Sequence, residues 1–395
     1  MDARAVVRER IERNADQLLG LSHRIHGHPE VAFEEVKACA WVAELLEDAG
    51  MKVTTGVGGL ATAFTARAGS GPLHVAICAE YDALPGIGHA CGHNVIAAAA
   101  AGAGIGLAGV ADELGLTVTV VGTPAEETGG GKIVLLDRGV FDGVHAAMMV
   151  HPSPFEMALM PSIAVHHFDV RYTGKEAHAS AFPELGVNAA DALTVAQVAI
   201  GLLRQHLRPT DRVHGIVTKG GDAANIVPAH TEGVWMVRAA TLGDLGQVRD
   251  KVYRCFEAGA VATGADLQIT PEASPYAQVE GDEELGRLYQ RGAEELGRTF
   301  IEPTPQLERA AGSTDMGNIS LAMPAIHPLI SIDSLPAVNH QPEFTAACIT
   351  PSADKAAIDG AVAMAWTAVE AATDEALRAR LLAAGAERQG RSGRS

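Results

Sequence analysis

The chain has 395 residues, 47% hydrophobic and 20% charged, with 43 glycines, 4% aromatics and a formal net charge of -18. That length suggests two or three domains with an ample core, and the balance of apolar to charged residues excludes a disordered protein. Thirty basic residues against forty-eight acidic ones exclude a nucleic-acid binder, which needs a basic face for phosphates, although a local basic pocket for an acidic substrate stays open.

From the N-terminus, Arg4–His26 has the spacing of an amphipathic helix. Glu34–Ala49 repeats it, with Val36, Ala40, Leu45 and Leu46 on the apolar face and Gly50 as a C-terminal cap. Leu73–Ala79 reads as a short strand, Asn94–Leu107 as an Ala-rich helix, Leu116–Val121 and Ala146–Val150 as further strands. Strands alternating with helices imply βαβ units and a mainly parallel sheet. Character changes near Ile163. Strand Ala164–Thr173, helix Val187–Leu207, strands Arg212–Lys219 and Gly233–Ala239, helix Leu245–Ala262 and strand Asp266–Glu272 give the β-α-β-β-α-β order of a ferredoxin-like sandwich. From Glu283 a helical, Ala-rich texture returns. The expected organisation is α/β: a mainly parallel-sheet domain of residues 1–162 and 276–395, with a small α+β domain of residues 163–275 inserted. The tail after Gly385, with Arg388, Arg391 and Arg394 among Gly and Ser, reads as disordered.

Val95–Ala111, the longest apolar run, is too rich in Ala and Gly for a membrane span, and no membrane partner is expected. The charged N-terminus has no apolar core and does not read as a secretory signal. Cys39, Cys78, Cys91, Cys255 and Cys348 are too sparse and irregular for a disulfide framework, so the expected location is the reducing cytoplasm.

Polar clusters follow the strands. Glu80 and Asp82 come after the first, with His89, Cys91 and His93 in the same connection; Glu126 and Glu127 follow the next; His151 follows the third. In an open α/β sheet, sites form beyond the carboxyl ends of the strands. A thiol and imidazoles within five positions suit a soft or borderline divalent metal. The alternatives are a glycine-rich turn with incidental histidines, or a nucleophilic Cys–His pair, which neighbours at i and i+2 seldom make. Adjacent carboxylates repel, and a cation compensates well: one of Glu126 and Glu127 can ligate while its neighbour acts as general base. The plain alternative is a solvated acidic turn. A lone His151 would be structural, but its place on the same rim favours a ligand. Gly102, Gly104 and Gly106 lack dinucleotide-binding order and fit helix packing; Gly131-Lys132 lacks the following Ser/Thr of a phosphate loop.

The stretches Ser22-His23-Arg24-Ile25-His26-Gly27-His28-Pro29-Glu30, Glu80-Tyr81-Asp82-Ala83-Leu84-Pro85, Gly88-His89-Ala90-Cys91-Gly92-His93-Asn94, Pro124-Ala125-Glu126-Glu127, Gly174 to His178 and Asn225-Ile226-Val227-Pro228 together resemble the M20 metallopeptidase and amidohydrolase family. The resemblance runs from about residue 15 to 373. It points to the Cys-containing branch, near aminobenzoyl-glutamate hydrolases and the M20 domain-containing protein 2 type of dipeptidase. It implies a homodimeric hydrolase with two divalent metal ions per subunit, zinc first, with manganese, cobalt or nickel as alternatives. Cys91 matches a bridging ligand, His93, Glu127 and His151 further ligands, and Glu126 the general base. The last ligand matches His340, with His327 as runner-up. Asp82 matches a residue that orients a ligand histidine. Glu80 stands where the wider family has a histidine, a departure usual in this branch. The inserted domain matches a lid that dimerises through an edge strand and a helix. His178 matches a histidine reaching the partner's site to polarise the scissile carbonyl; Asn225 and Arg238 match residues holding the substrate carboxylate, although Arg238 fits a surface arginine equally well. The implied reaction is hydrolysis of an amide bond in a dipeptide, N-acyl amino acid or aminobenzoyl-glutamate-like substrate with a free carboxylate. The competing readings are a non-catalytic binding protein that kept the fold and a metal-free Cys91-dependent hydrolase.

Overall fold

The computed structural model describes residues 2–301 and 312–392, which divide into two units: residues 2–161, 279–301 and 314–392, and residues 162–278 with 312–313. The first opens with helices α1 (Ala3–Arg13), α2 (Ala15–His26) and α3 (Val36–Asp48). The single helix expected over Arg4–His26 is broken at Asn14. Its side-chain amide donates to the Arg10 carbonyl at 2.8 Å, the local competition for backbone acceptors that makes Asn a poor residue mid-helix. Strands β1 (Lys52–Thr55), β2 (Phe64–Ala68) and β3 (Leu73–Ala79) follow, then helix α4 (His93–Ala108), β4 (Leu116–Gly122), helix α5 (Gly131–Asp137), β5 (Ala146–Met148) and β6 (His151–Ser153).

The second unit contains β7 (Ala164–Thr173), α6 (Ala189–Leu203), β8 (Arg212–Lys219), β9 (His230–Ala239), α7 (Leu242–Thr263) and β10 (Asp266–Pro271). The chain then returns to the first unit with α8 (Glu283–Glu295), α9 (Met316–Ala322), β11 (Ala325–Ile326), β12 (Leu329–Ser331), α10 (Pro342–Ala347), α11 (Pro351–Thr373) and α12 (Glu375–Ser392). Backbone helix thus continues past Gly385 to Ser392, against the expected disorder; Arg394 lies outside the described residues.

The main sheet of the first unit has the order β1-β2-β4-β3-β5-β11, with β3 parallel to β4 and β5, and β5 parallel to β11. The short β1–β2 pair, not expected from sequence, runs antiparallel at one edge. The chain leaves this sheet after Met148, earlier than expected, and His151–Ser153 pairs with β12 instead. Helix α4 lies in the core, and its glycines are there for close approach. A Cβ at Gly104 would stand 2.4 Å from Val120 Cγ2, and one at Gly106 2.9 Å from Ile11 Cδ1.

The second unit is an antiparallel sheet, β10-β7-β9-β8, whose inward residues Phe168, Val170, Tyr172, Trp235 and Val237 pack with Ala192 and Ala196 of α6 and Val248, Val252 and Phe256 of α7. Its chain order is the expected β-α-β-β-α-β. Strand β8 is an edge, with Ile216 66% and Val217 43% exposed, and α6 exposes Val198 and Leu202. Among the described residues, no helix is long and apolar enough to cross a membrane.

Candidate metal centre

Three connections of the first unit deliver the polar residues. Strand β3 ends at Ala79, and Tyr81 turns into the core, its hydroxyl donating to the Thr62 carbonyl. Glu80 and Asp82 flank it, both buried. Gly92 takes a φ of +80°, and a Cβ there would lie 2.4 Å from Pro152 Cγ, so only glycine fits. The turn it makes starts α4 at His93, which is fully buried. After β4, Ala125 sits at φ +59°, a left-handed value unusual for a residue with a Cβ. The buried Glu35 accepts its N–H at 2.8 Å and helps hold the turn that presents Glu126 and Glu127.

Asp82 ties two of these connections together. One oxygen meets His93 Nδ1 at 3.0 Å; the other accepts the Glu127 backbone N–H at 3.0 Å. The carboxylate can only accept, so Nδ1 carries a proton; burial opposes a second proton on this ring, but Asp82 and Glu80 outweigh it and raise His93 well up, so Nε2 becomes a lone-pair donor where a cation takes that proton's place. His151 is set the same way: its Nδ1–H donates to the Pro152 carbonyl at 2.8 Å, and Nε2 faces Cys91 Sγ at 3.4 Å. His340 has a φ of +68° and donates its backbone N–H to the Ala90 carbonyl at 2.8 Å; its Nε2 lies 3.5 Å from Glu127 Oε2.

Two donor groups result: Cys91, His93 and His151 in one, Cys91, Glu127 and His340 in the other. Within each, one ligand atom per residue lies within 4.8 Å of the others, and Cys91 belongs to both. A third group, Glu80, His93 and Glu126, overlaps the first at His93. Among the described residues, His93 Nε2 and Glu127 Oε1 are buried without a hydrogen-bond partner. Buried ligand atoms of thiol, imidazole and carboxylate that converge on one space fit a cation, which displaces their protons. His327 belongs to none of these groups. It is buried with its ring against His151, centroids 5.5 Å apart, and neither nitrogen has a partner among the described residues. His89 also stays outside, stacked near His26.

Electrostatics agree with the fit. Burial, then Glu127, pushes the Cys91 thiol well up. Burial, then Glu80 and Glu127, raises Glu126, and burial also raises Glu127 against the pull of His93. Burial lowers His151 to about 4, so it stays a neutral ligand. Burial opposes the charge on Asp82, but His93 and the Glu127 N–H outweigh it and hold that carboxyl low. A divalent ion would supply the positive charge that a buried thiolate beside carboxylates needs.

The family model described as peptidase family M20/M25/M40 matches residues 76–355. The chain belongs to this family. The Xaa-Arg dipeptidase of Mus musculus is 39% identical over 376 residues, covering 92% of this chain and 87% of that protein. One of the subunits of the p-aminobenzoyl-glutamate hydrolase of Escherichia coli is 34% identical over 279 residues, 65% of this chain and 58% of that one. Among solved structures, a Bacillus subtilis dinuclear metal binding peptidase of the M20 family matches with a TM-score of 0.67 at 22% identity, covering 91% of this chain and 99% of that one. At that identity the likeness shows the fold. The M20 resemblance expected from the motifs is thus met, and the chain is a hydrolase.

The remaining sequence-predicted residues of this M20 chain lie in the second unit. His178 is exposed and pairs with Ile226, and Ala179 donates to the Asn225 carbonyl at 3.0 Å, so His178 and Asn225 share one corner. The backbone N–H groups of Ser180 and Ala181 both point at His178 Nδ1, each at 3.3 Å. That leaves the proton on Nε2. Arg238 reaches Ser313 Oγ at 2.9 Å and His214 Nε2 at 3.4 Å. Sequence reasoning passed over Lys132 and Asp315. Both are fully buried; Lys132 donates to Glu80 and, at 2.7 Å, to Asp315. The available signal was a lone lysine at the head of the apolar run Ile133-Val134-Leu135-Leu136, set aside because it lacks phosphate-loop context.

Proposed function

We propose that this chain is a dinuclear-metal amidohydrolase that cleaves the amide bond of a dipeptide or related N-acyl amino acid bearing a free carboxylate. The observation that carries the reading is Cys91 standing in two donor groups at once, with His93 and His151 on one side and Glu127 and His340 on the other. His340 is preferred to His327 because it shares a donor group with Cys91. A thiolate in both sets favours zinc, with manganese, cobalt or nickel as alternatives. When bound, the two ions polarise the scissile carbonyl and acidify the attacking water.

The protein residues do the rest. Asp82 keeps His93 in the tautomer that offers Nε2, and the Pro152 carbonyl does so for His151. Glu126, its carboxyl raised by burial and the neighbouring acids, accepts a proton from the attacking water and passes it to the leaving nitrogen. His178, with its proton on Nε2, is a donor suited to the carbonyl oxygen as it gains charge. Asn225 and Arg238 hold the substrate carboxylate. The exposed Ile216, Val217, Val198 and Leu202 on β8 and α6 favour a homodimer formed through the second unit. A metal-free Cys91 nucleophile is disfavoured because burial and Glu127 hold the thiol protonated.

The likeness to an Xaa-Arg dipeptidase puts dipeptides with a C-terminal basic residue first among the substrates. The test is hydrolysis by metal-loaded protein of Xaa-Arg and neutral dipeptides, N-acetyl amino acids and p-aminobenzoyl-glutamate, each with and without chelator. Turnover of at least one class that chelation abolishes is expected. Turnover that chelation leaves unchanged would overturn the metal reading, and no turnover of any class would overturn the substrate reading.

A further inference from the structure

The third donor group, Glu80, His93 and Glu126, conflicts with the proposed centre. His93 has one lone pair to give, since its Nδ1 is tied to Asp82. It can therefore serve Cys91 and His151, or Glu80 and Glu126, but not both. Its Nε2 stands 3.3 Å from Glu80 Oε2, an oxygen that is buried and accepts no hydrogen bond among the described residues. An ion bound there would take His93 from the Cys91 group and engage Glu126, the residue that moves the proton.

What stands against that ion is Lys132. It is the second residue of α5, held where Gly131 lets the helix start close under Pro124. Its ammonium is fully buried, donates to the other oxygen of Glu80 and, at 2.7 Å, to Asp315 Oδ1. Asp315 Oδ2 also accepts the Lys132 backbone N–H at 2.9 Å, so the side chain is anchored at both ends. A buried positive charge on Glu80 both satisfies that carboxylate and repels a second cation, with little water to screen either effect.

We propose that Lys132 is a positioning residue that closes the Glu80–His93–Glu126 group to metal and so keeps His93 committed to the Cys91 centre. The proposal rests on the two-metal reading above. It separates from that reading because the Cys91 groups carry a thiolate and the third group does not.

The test uses cobalt(II), whose bond to thiolate gives a near-ultraviolet charge-transfer band. Wild-type protein is expected to bind about two equivalents, both developing with that band. Lys132→Met should bind cobalt at the Glu80–His93–Glu126 group in competition with the Cys91–His93–His151 group, so that its thiolate band per bound cobalt falls below that of wild type, and it should be inhibited by excess metal at a concentration at least about tenfold lower than wild type, since a buried neighbouring charge is lost. Lys132→Arg, which keeps the cation, should behave as wild type. Because Lys132→Met leaves two buried acids uncompensated, Lys132→Met with Asp315→Asn serves as a second variant that removes one of them; it should show the same weaker thiolate band per bound cobalt. If either folded variant keeps the wild-type thiolate band per bound cobalt and the same sensitivity to excess metal, Lys132 has no such role. If wild type itself shows no thiolate band, the two-metal reading fails instead.

Discussion

The Asp82 carboxylate accepts the backbone N–H of Glu127 at 3.0 Å. A residue at the end of one strand thereby sets the register of the acidic pair at the end of the next. Glu127 is turned toward Cys91 and His340 and Glu126 toward Glu80, with His93 Nε2 shared between them at 3.8 Å from Glu127 and 3.9 Å from Glu126. Beyond that shared histidine the two adjacent glutamates have different neighbours, as the proposed division into ligand and base requires.

Glu126→Gln should therefore keep its metal and lose its turnover, by roughly 100- to 10,000-fold in kcat, because an amide cannot take the water's proton. Metal analysis beside single-substrate kinetics checks this. A fully loaded variant with near-wild-type kcat would show that Glu126 is not the base.

Cys91→Ala should lower metal content and activity together, since one thiolate is common to both donor groups. His340→Ala should lower the metal stoichiometry, whereas His327→Ala, which stands in neither group, should leave it unchanged. Elemental analysis of the three proteins decides it; the reverse result for the two histidines would move the ligand to His327.

The role of His178 is checked by mixing. Inactive Glu126→Gln and inactive His178→Ala subunits, allowed to exchange, should regain activity if a dimer builds each site from two chains. A heterodimer then contains one site with both residues intact. Exchange demonstrated without recovery would rule out a role for His178 across the dimer.

Acid should destabilise the protein partly through His74, which burial, Arg67 and His145 push down to about 4. Its ordinary value is near 6.5, so the unfolded chain binds the proton first as pH falls. The stability His74 carries is fully present above pH 6.5 and is lost progressively toward pH 4, up to about 3 kcal/mol in all. His74→Gln can still meet Thr119, whose hydroxyl lies 2.8 Å from His74 Nε2. It should therefore show a smaller fall in Tm between pH 7.5 and pH 5 than wild type. Equal falls would assign the acid sensitivity elsewhere.

Much of this was legible in the residues alone. The apolar run Leu73–Ala79 and the alternation of Ala164–Thr173 marked β3 and β7 at their observed bounds, because a strand buried on both faces or on one must carry such a pattern. The rule that α/β sites lie beyond strand ends marked Glu80, Asp82, Glu126, Glu127 and His151, and the motifs marked the M20 family. What sequence could not supply was pairing between distant segments. Spacing does not separate His340 from His327, which are 13 positions apart on one returning stretch. A left-handed φ at His340 and its bond to Ala90 bring one beside Glu127, while the other packs against His151. Lys132, set in an apolar helix, has no periodic signature of function. It acquires one only when the fold buries it between Glu80 and Asp315, since a buried charge must find its counter-charge wherever the chain brings it.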